Sequence, residues 1–321
     1  MKIDDLVSVV LITYNHENFI ERAIDSIICQ KSSFKIELLI AEDCSTDNTR
    51  QIVMDYADRY PKIIRALLRE KNLGPTKNLY DAYQKCSGKY IAQLEGDDYW
   101  TDPEKLQKQY DFLEKNKEYI CVTHRHTDID RDGEIFFGTW NGKSGKHTLE
   151  DFVQGNIMIG HFGTYFYRNI FIEDKEKYKI IYKAHDYMGD VTLSLILLLQ
   201  GPVYCMNEKM SVYRNMDIKG GSNWRSVNTE RDMEYESIVY SSKLLQWVKQ
   251  FYGLTDIGID YMHKNIYLSV AYLKDHPGRK GIKLLKRVYM QDDKKRDIIR
   301  FFISMRKKKL KSSKGEGYER S

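Results

Sequence analysis

The chain has 321 residues, of which 42% are hydrophobic and 30% are charged, and its formal net charge is +5. This composition excludes disordered, fibrous and membrane-spanning classes and predicts a globular protein with one large domain and a smaller appendage. The basic excess is small and lies toward the C-terminal end, so no nucleic-acid partner is expected.

Short apolar runs alternate with helical patterns over the first hundred residues, which predicts an α/β protein with a mostly parallel sheet flanked by helices. Strands are expected at residues 7–12, 36–41, 63–68, 90–94 and 119–123, with shorter antiparallel strands at 134–137 and 165–167. Helices are expected at 19–28, 48–60 and 76–85 and after 101–104, and beyond about residue 227 at 232–251, 260–274, 280–289 and 294–309.

Two features predict a cytoplasmic protein. The N-terminus carries no charged-then-apolar leader, and the five cysteines are scattered without a C-x-x-C pair, as is usual for reduced thiols. The longest apolar stretch, Val191 to Leu199, is too short to cross a bilayer.

Polar side chains follow three of the predicted strands at the point where each ends. Ligands of open α/β sheets bind beyond the carboxyl ends of the strands, so these residues are the first candidates for a site. They are Thr13, Tyr14 and Asn15 after the first strand, Glu42, Asp43 and Ser45 after the second, and Glu95, Gly96, Asp97 and Asp98 after the fourth. Asn15 and Asp43 can also serve only as helix caps or turn residues.

The third of these groups, Glu95 to Asp98, predicts a metal site. Three carboxylates within four residues repel one another unless a cation or hydrogen-bond donors compensate them. Oxygen ligands without histidine suit Mg²⁺ or Mn²⁺, which commonly arrives with the phosphates of a substrate. No P-loop and no G-x-G-x-x-G motif follows the first strand, so the metal is expected to meet the phosphate charge.

Several ordered motifs resemble those of family 2 glycosyltransferases with the GT-A fold. The likeness spans about residues 6 to 225. Its parts are Val7 to Asn15, Ile40 to Thr49, Asn72 to Gly74 with Asn78, Ser87 to Ala92, Glu95 to Trp100, Gly189 with Asp190, Gly201, and Ser211 to Arg214.

The resemblance implies a nucleotide-sugar donor and a Rossmann-like sheet that holds it. The nucleotide of the donor is expected to be UDP. Thr13, Asn15 and Asp43 are expected at the base and ribose, Asp97 at the ribose, and Asp98, with Asp97, at the metal. The remaining residues expected in the donor site are Tyr14, Glu17, Ser45, Asn72 and Lys77. Glu95 stands where the family commonly has Asp, which gives it a supporting role.

The same resemblance makes Asp190 the general base of an inverting transfer to a glycan or lipid-linked hydroxyl. Asp186 is the rival base, and a helix-start carboxylate that complements the helix dipole is the alternative reading of Asp190. Gly189 stands where the family often has Glu, which weakens the assignment.

Acceptor or diphosphate contacts are expected from the irregular segments after residue 123 and from the end of the resemblance. The residues are Trp140, His161, Phe162, Thr164, Arg168, Tyr213, Arg214, Asn215 and the segment Gly220 to Trp224.

The domain organisation follows from these patterns. Residues 1–226 form the glycosyltransferase domain, with a nucleotide-binding half at about 1–118 and an acceptor half at about 119–226, and residues 227–321 form a helical extension with a basic tail. The helix at 294–309 has apolar residues between basic clusters, which fits either a peripheral contact with an anionic membrane or a packed terminal helix.

Two other functions remain open. One is a catalytically silent protein of this fold that binds a nucleotide or glycan as an assembly partner, and Gly189 is its best support. The other is a sugar-phosphate nucleotidyltransferase, although the segment Thr13 to Asn15 lacks the Gly-rich, basic phosphate loop that such an enzyme needs.

Overall fold

A computed structural model describes residues 6–130, 132–136, 143–155, 159–172, 176–215, 232–254 and 268–291. The chain divides into two compact units, Met1–Glu230 and Arg231–Ser321. The predicted boundary at residues 226 and 227 falls outside the described residues, so the domain division stays a prediction.

The first unit is built on one mixed sheet. Its strands are β1 (Leu6–Thr13), β2 (Lys35–Glu42), β3 (Ile64–Leu68), β4 (Tyr90–Glu95), β5 (Tyr99–Trp100), β6 (Cys121–Ile129), β7 (Ile135–Phe136), β8 (Gly145–His147), β9 (Phe166–Arg168) and β10 (Val203–Arg214). Its α-helices are α1 (Ile20–Ile28), α2 (Thr49–Arg59), α3 (Pro75–Tyr83), α4 (Lys105–Lys115), α5 (Leu149–Gly155), α6 (Ile180–Lys183) and α7 (Gly189–Leu198).

The order β3-β2-β1-β4-β9-β6-β10-β5 describes the sheet, with β7 paired to β6 and β8 paired to β10. The strands β3, β2, β1 and β4 are parallel, as predicted. Strand β9 is antiparallel to both β4 and β6, and β6 is parallel to β10. The prediction of a mostly parallel α/β sheet is therefore confirmed.

The apolar runs that predicted the strands form the core of the first unit. Strand β1 is buried along nearly its whole length, because parallel strands are covered on both faces. Its alternate residues Val7, Val9 and Leu11 pack in one core cluster with α1, α2 and α4. Helix α3 contacts β1, β2, α6 and α7.

Strand β10 was not predicted. Its central residues are exposed and polar, Asn207 to Lys209, and the register with β6 shifts on either side of Lys209. Such irregularities interrupt the alternation that marks a strand in the sequence.

The second unit is helical in its described part. Helix α8 (Met233–Tyr252) begins at Asp232, whose carboxylate accepts a hydrogen bond from the Tyr235 backbone N–H, and ends at Gly253 with a φ of 65°. Residues 268–275 form α9 and Arg279–Gln291 form α10. The predicted helix at 294–309 lies outside the described residues.

All five cysteines are free thiols. No helix in the described ranges is long and apolar enough to cross a membrane.

A lysine lies fully buried between α4 and the sheet. Lys105 is 0% exposed, its ammonium donates to Gln109 Oε1 at 2.7 Å, and it lies 4.0 Å from the centroid of the Trp100 ring. Burial lowers the pKa of this ammonium well below its usual range. The folded protein therefore holds a proton at this site less tightly than the unfolded chain.

We expect the difference in unfolding free energy between the wild type and Lys105→Met to depend on pH. Between the lowered folded pKa and the unfolded pKa of about 10.4, the unfolded chain binds more protons at this site than the folded chain does, so wild-type stability relative to the variant should rise with pH, by up to about 1.4 kcal/mol per unit. Urea titrations between about pH 7 and about pH 10 measure this slope. A difference that does not change with pH would contradict the prediction.

Candidate active site

The three polar strand ends meet at one edge of the sheet. Strand β1 pairs Thr13 with Glu42 of β2 and Ile12 with Glu95 of β4. The convergence that was inferred from the order of strands is therefore present in the structure.

The buried carboxylate of Asp98 is at the centre of this edge. Asp98 is 2% exposed, and its Oδ1 accepts a hydrogen bond from the Arg214 backbone N–H at 2.8 Å. Its Oδ2 has no hydrogen-bond partner among the described residues and lies 3.7 Å from His161 Nδ1. A buried carboxylate oxygen without a donor is costly, so it marks a position for a ligand.

Three side chains could hold a cation here, and we call Glu95, Asp98 and His161 the acid–histidine group. One ligand atom from each lies within 4.8 Å of the others. The predicted pair was Asp97 with Asp98, so the geometry differs in two respects. Asp97 is not in the group, whereas Glu95, which was expected to have a supporting role, is.

His161 was predicted as an acceptor contact, and metal ligation without histidine was expected. The structure instead brings the imidazole beside Asp98. No spacing rule connects the two residues, because His161 reaches the site from the turn that precedes β9. An imidazole makes the donor set more suitable for a transition-metal ion such as Mn²⁺ than for Mg²⁺, which prefers oxygen ligands.

The electrostatics of the acid–histidine group fit a bound cation. Burial, followed by the charges of Asp97 and Asp190, raises the pKa of Glu95 to about 8. Burial and the charges of Asp97 and Glu95 raise the pKa of Asp98 well above its usual range. Burial also lowers the pKa of His161, which favours the neutral imidazole that a metal requires. A divalent ion would relieve the repulsion between the carboxylates.

A buried network holds the turn that carries His161. Trp100 Nε1 donates to the Gly163 carbonyl at 2.9 Å, and Gln109 Nε2 donates to the Thr164 carbonyl at 2.9 Å. The Thr164 hydroxyl donates to the His161 carbonyl at 2.7 Å. Thr164 is 0% exposed and has no exposed atom for the predicted acceptor contact. Its hydroxyl stabilises the backbone of His161 instead.

Arg214, the last residue of β10, stabilises the segment Glu95 to Asp98, which we call the acidic turn. Besides the bond from its N–H to Asp98, its Nε donates to the Asp97 carbonyl at 3.3 Å and its Nη1 to the Asp130 carbonyl at 3.2 Å. The guanidinium also lies 4.5 Å from the centroid of the Phe19 ring. These contacts join β10 to the loops after β1 and β4, and the predicted diphosphate contact stays a prediction.

A histidine that the sequence analysis missed links the first loop to the acidic turn. His16 Nδ1 lies 3.3 Å from Thr13 Oγ1, and its Nε2 lies 3.9 Å from Asp97 Oδ2. The adjacent Gly96 leaves room for this arrangement, since a Cβ there would lie 2.5 Å from Thr13 Oγ1 and 2.7 Å from His16 Nδ1. A histidine directly after the Thr13 to Asn15 motif was the signal available in the sequence.

We expect Gly96→Ala to displace His16 and Thr13 and to lower the free energy of unfolding by about 1–3 kcal/mol, because the new methyl group overlaps both side chains. Urea titration measures the change. Gly278→Ala is the control for the added methyl group, because no atom lies within 4 Å of its Cβ position. Unchanged stability in Gly96→Ala would show that this packing is unimportant.

The loops after β1 and β2 hold each other in place. Asn15 and Cys44 adopt left-handed backbone with φ of 56° and 63°. Asn15 Oδ1 accepts from the Thr46 N–H at 2.8 Å, and the Asn15 N–H donates to Ser45 Oγ at 3.0 Å. Glu17 Oε2 accepts from the Asn48 N–H at 2.9 Å. The predicted donor-site residues Asn15, Glu17 and Ser45 are therefore together, and Tyr14 is half-buried among them.

Asp43 connects this region to the loop before α3. Its two carboxylate oxygens accept from the N–H groups of Leu73 at 2.8 Å and Gly74 at 3.0 Å. The Gly74 N–H also reaches Asn72 Oδ1 at 3.0 Å. Burial raises the pKa of Asp43 while these two backbone donors oppose the rise. Lys77, by contrast, forms an ion pair with Asp81 on its own helix.

Asp190 lies in the first turn of α7, half-buried, and its Oδ1 accepts from the Val191 N–H at 2.7 Å. Burial raises its pKa. The charge of Asp190 contributes to the raised pKa of Glu95, so the two carboxylates share one electrostatic environment. Asp186 is exposed, and its carbonyl accepts from the Thr76 hydroxyl at 3.0 Å.

Close packing explains the glycine before Asp190. A Cβ on Gly189 would lie 3.1 Å from Thr76 Cγ2 and 3.7 Å from Leu79 Cδ2. Helix α7 therefore approaches α3 closely, and a larger side chain at position 189 would require Thr76 to move. The presence of glycine at position 189 is therefore explained by helix packing, independently of catalysis.

Arg168, which was expected to contact the acceptor, lies far from the acidic residues Glu95 to Asp98. It pairs with Tyr90, at the opposite end of β4 from the acidic turn. Its guanidinium donates to the carbonyls of Tyr119 and Leu113 and to the Tyr90 hydroxyl. The predicted contacts at Trp140 and at Gly220 to Trp224, including Trp224, lie outside the described residues.

The arrangement of strands and acidic turn is that of a GT-A glycosyltransferase. The chain belongs to glycosyl transferase family 2, whose family model matches residues 8–174. The resemblance noted from the motifs is thereby confirmed.

Curated relatives extend the likeness along the chain. The uncharacterized protein Rv1520 of Mycobacterium tuberculosis is 42% identical over 237 residues, which are 72% of this chain and 64% of that protein. Chondroitin synthase of Escherichia coli is 29% identical over 136 residues, which are 42% of this chain and 19% of the synthase. The chain thus spans less than two thirds of the length of these relatives.

A solved structure shares the fold. The crystal structure of S. aureus TarS 1–349 in complex with UDP-GlcNAc matches with a TM-score of 0.57 at 16% identity, and the match covers 91% of each chain. At this identity the likeness supports the architecture, and function must be argued from the site.

Proposed function

We propose that this protein transfers a sugar, with inversion, from a UDP-linked donor to a hydroxyl of a glycan or lipid-linked acceptor, in a metal-dependent reaction. The observation that carries the proposal is the buried Asp98 Oδ2, which lacks a hydrogen-bond partner among the described residues and lies within reach of Glu95 and His161. Family membership supports sugar transfer as the type of reaction.

The donor is expected to bind across the loops after β1, β2 and β4. Thr13, Asn15 and Asp43 are the proposed contacts to the base and ribose, and Asp97 is a second contact to the ribose. TarS was crystallised with UDP-GlcNAc and with UDP, which favours a uridine nucleotide here. Asp43 already uses both carboxylate oxygens on the loop before α3, so it would orient that loop as well.

Glu95, Asp98 and His161 are the residues that would hold the metal. When bound, a divalent ion supplies Lewis-acid stabilisation of the negative charge on a departing diphosphate. Asp98 is fixed for this task by the Arg214 N–H, and His161 by the network of Trp100, Gln109 and Thr164.

Asp190 is the proposed general base. Its carboxylate accepts the proton of the acceptor hydroxyl while that oxygen forms a bond to the anomeric carbon and the bond from this carbon to the diphosphate breaks. The Val191 N–H holds Oδ1, which leaves Oδ2 to receive the proton. Burial raises the pKa of Asp190, which makes it a stronger base than an exposed carboxylate.

The acceptor and the location in the cell complete the proposal. Polysaccharide synthesis by relatives such as chondroitin synthase supports a glycan acceptor. The cytoplasmic location and the membrane contact of residues 294–309 stay predictions.

We expect Asp98→Asn to abolish the Mn²⁺ dependence of UDP binding. The asparagine keeps an oxygen for the Arg214 N–H but loses the charge and the second oxygen that a cation needs. Calorimetric titration of UDP with and without Mn²⁺ measures the effect. Asp102→Asn, at a half-buried carboxylate paired with Lys108, is the matched control and should retain the dependence. The same Mn²⁺ enhancement in Asp98→Asn as in the wild type would exclude Asp98 as a ligand.

We expect Asp190→Asn to lower kcat about 10²–10⁴-fold with little change in donor affinity, because general-base catalysis contributes that much. Asparagine can still accept the Val191 N–H bond, so α7 should fold normally. Asp186→Asn, which changes the rival base, should keep most activity. If Asp186→Asn were the inactive variant, the two roles would have to be exchanged.

A panel of sugar nucleotides tests the reaction class. With Mn²⁺ and the correct donor, the protein should release free nucleotide, and this release should require Asp190. Nucleotide binding without any turnover across the panel and a range of glycan acceptors would favour a catalytically silent binding protein. Release of pyrophosphate from a nucleoside triphosphate and a sugar phosphate would identify a nucleotidyltransferase.

A further inference from the structure

Helix α10 has one buried side and one basic side. Gly281, Leu284 and Val288 are buried, and the latter two pack with Ile238 and Tyr272 in the core of the second unit. A Cβ on Gly281 would lie 2.8 Å from Leu273 Cδ1 and 2.9 Å from the His276 carbonyl, so α10 packs tightly at this point. This side of the helix is therefore fixed by packing.

The opposite side consists almost entirely of basic residues. At about 100° per residue, its exposed side chains form one continuous arc of roughly 160°. We call this arc the α10 basic face; its residues are Arg279, Lys280, Ile282, Lys283, Lys286 and Arg287. No acidic residue lies between residues 279 and 291.

Most of this charge has no ion-pair partner in the described part of the chain. The Lys280 ammonium pairs with Asp232 at 2.7 Å and anchors the first turn of α10 to the start of α8. The other four basic side chains make no ion pair with any carboxylate in the described part of the chain. Clustered like charges repel one another at a cost in stability, so a face of this kind fits an anionic partner.

Ile282 identifies the kind of partner. It is 59% exposed and lies at one end of the basic arc, between Lys286 and the apolar Leu285. An exposed apolar side chain at the edge of a row of cations suits the boundary between lipid headgroups and acyl chains, where both find favourable contacts. Surfaces that bind single-stranded nucleic acid usually add aromatic residues for stacking, and the α10 basic face has none.

We propose that the α10 basic face binds the anionic headgroups of a membrane surface. The helix would lie parallel to the surface with its basic side chains in the headgroup layer and Ile282 inserted toward the acyl chains. The inference rests on the charge and exposure of α10 and does not depend on sugar transfer. It would bring the protein to the surface where a lipid-linked acceptor is found.

Co-sedimentation with vesicles tests the proposal on the full chain. The wild type should bind vesicles of phosphatidylglycerol mixed with phosphatidylcholine, and this binding should weaken with rising ionic strength. A triple variant, Lys283→Glu, Lys286→Glu and Arg287→Glu, should bind at least on the order of a hundredfold more weakly, from about one factor of five per lost charge. Thermal unfolding should be nearly unchanged, since the three side chains are exposed.

The matched control is a triple variant in the first unit with the same change in net charge as the α10 triple variant. Lys31→Glu, Lys62→Glu and Arg65→Glu alter three exposed basic residues that are not part of α10, and this variant should keep most of the vesicle binding. Ile282→Ser should reduce binding without altering its dependence on ionic strength.

Three results would overturn the proposal. The first is equal loss of binding in the two triple variants, which would reveal an effect of net charge alone. The second is wild-type affinity in the α10 triple variant. The third is tighter binding of the wild type to double-stranded DNA than to the anionic vesicles, which would make this face a nucleic-acid surface.

Discussion

The hydrogen bond from the Arg214 N–H to the Asp98 carboxylate joins the two parts of the sheet at the site. Asp98 follows β4, and Arg214 is the last residue of β10. The bond occupies one oxygen of Asp98 and aims the other at His161. Because both residues are buried, water does not compete for the bond. The acid–histidine group depends on this bond for the position of Asp98, and on the network of Trp100, Gln109 and Thr164 for the position of His161.

Much of the donor half was predictable because its physics is local. Buried parallel strands are nearly continuous apolar runs, and Val7 to Ile12 is such a run. The polar ends of β1, β2 and β4 then follow at fixed positions, and parallel pairing brings them together. Asp190 at the start of α7 followed from a motif, and its position in the first turn agrees with that expectation.

The rest of the site depends on contacts that sequence spacing does not encode. His161 joins Glu95 and Asp98 only because β9 inserts antiparallel between β4 and β6, which brings the preceding turn under the acidic residues. Arg168 has the residue type of an acceptor contact, but the register of β9 carries it to the far end of β4. His16 depends on the absence of a side chain at Gly96, a packing detail that no periodicity reports.

The long separation between Asp98 and Arg214 has a consequence for biosynthesis. The strands β1, β2, β3 and β4 can pair as soon as the first hundred residues have been made, because their connections are short crossovers. The acidic turn, however, acquires its hydrogen-bond donor only after β10 has been translated and added beside β6. During translation on the ribosome, the nascent chain therefore carries a cluster of carboxylates without this donor, and the geometry of the acid–histidine group forms late.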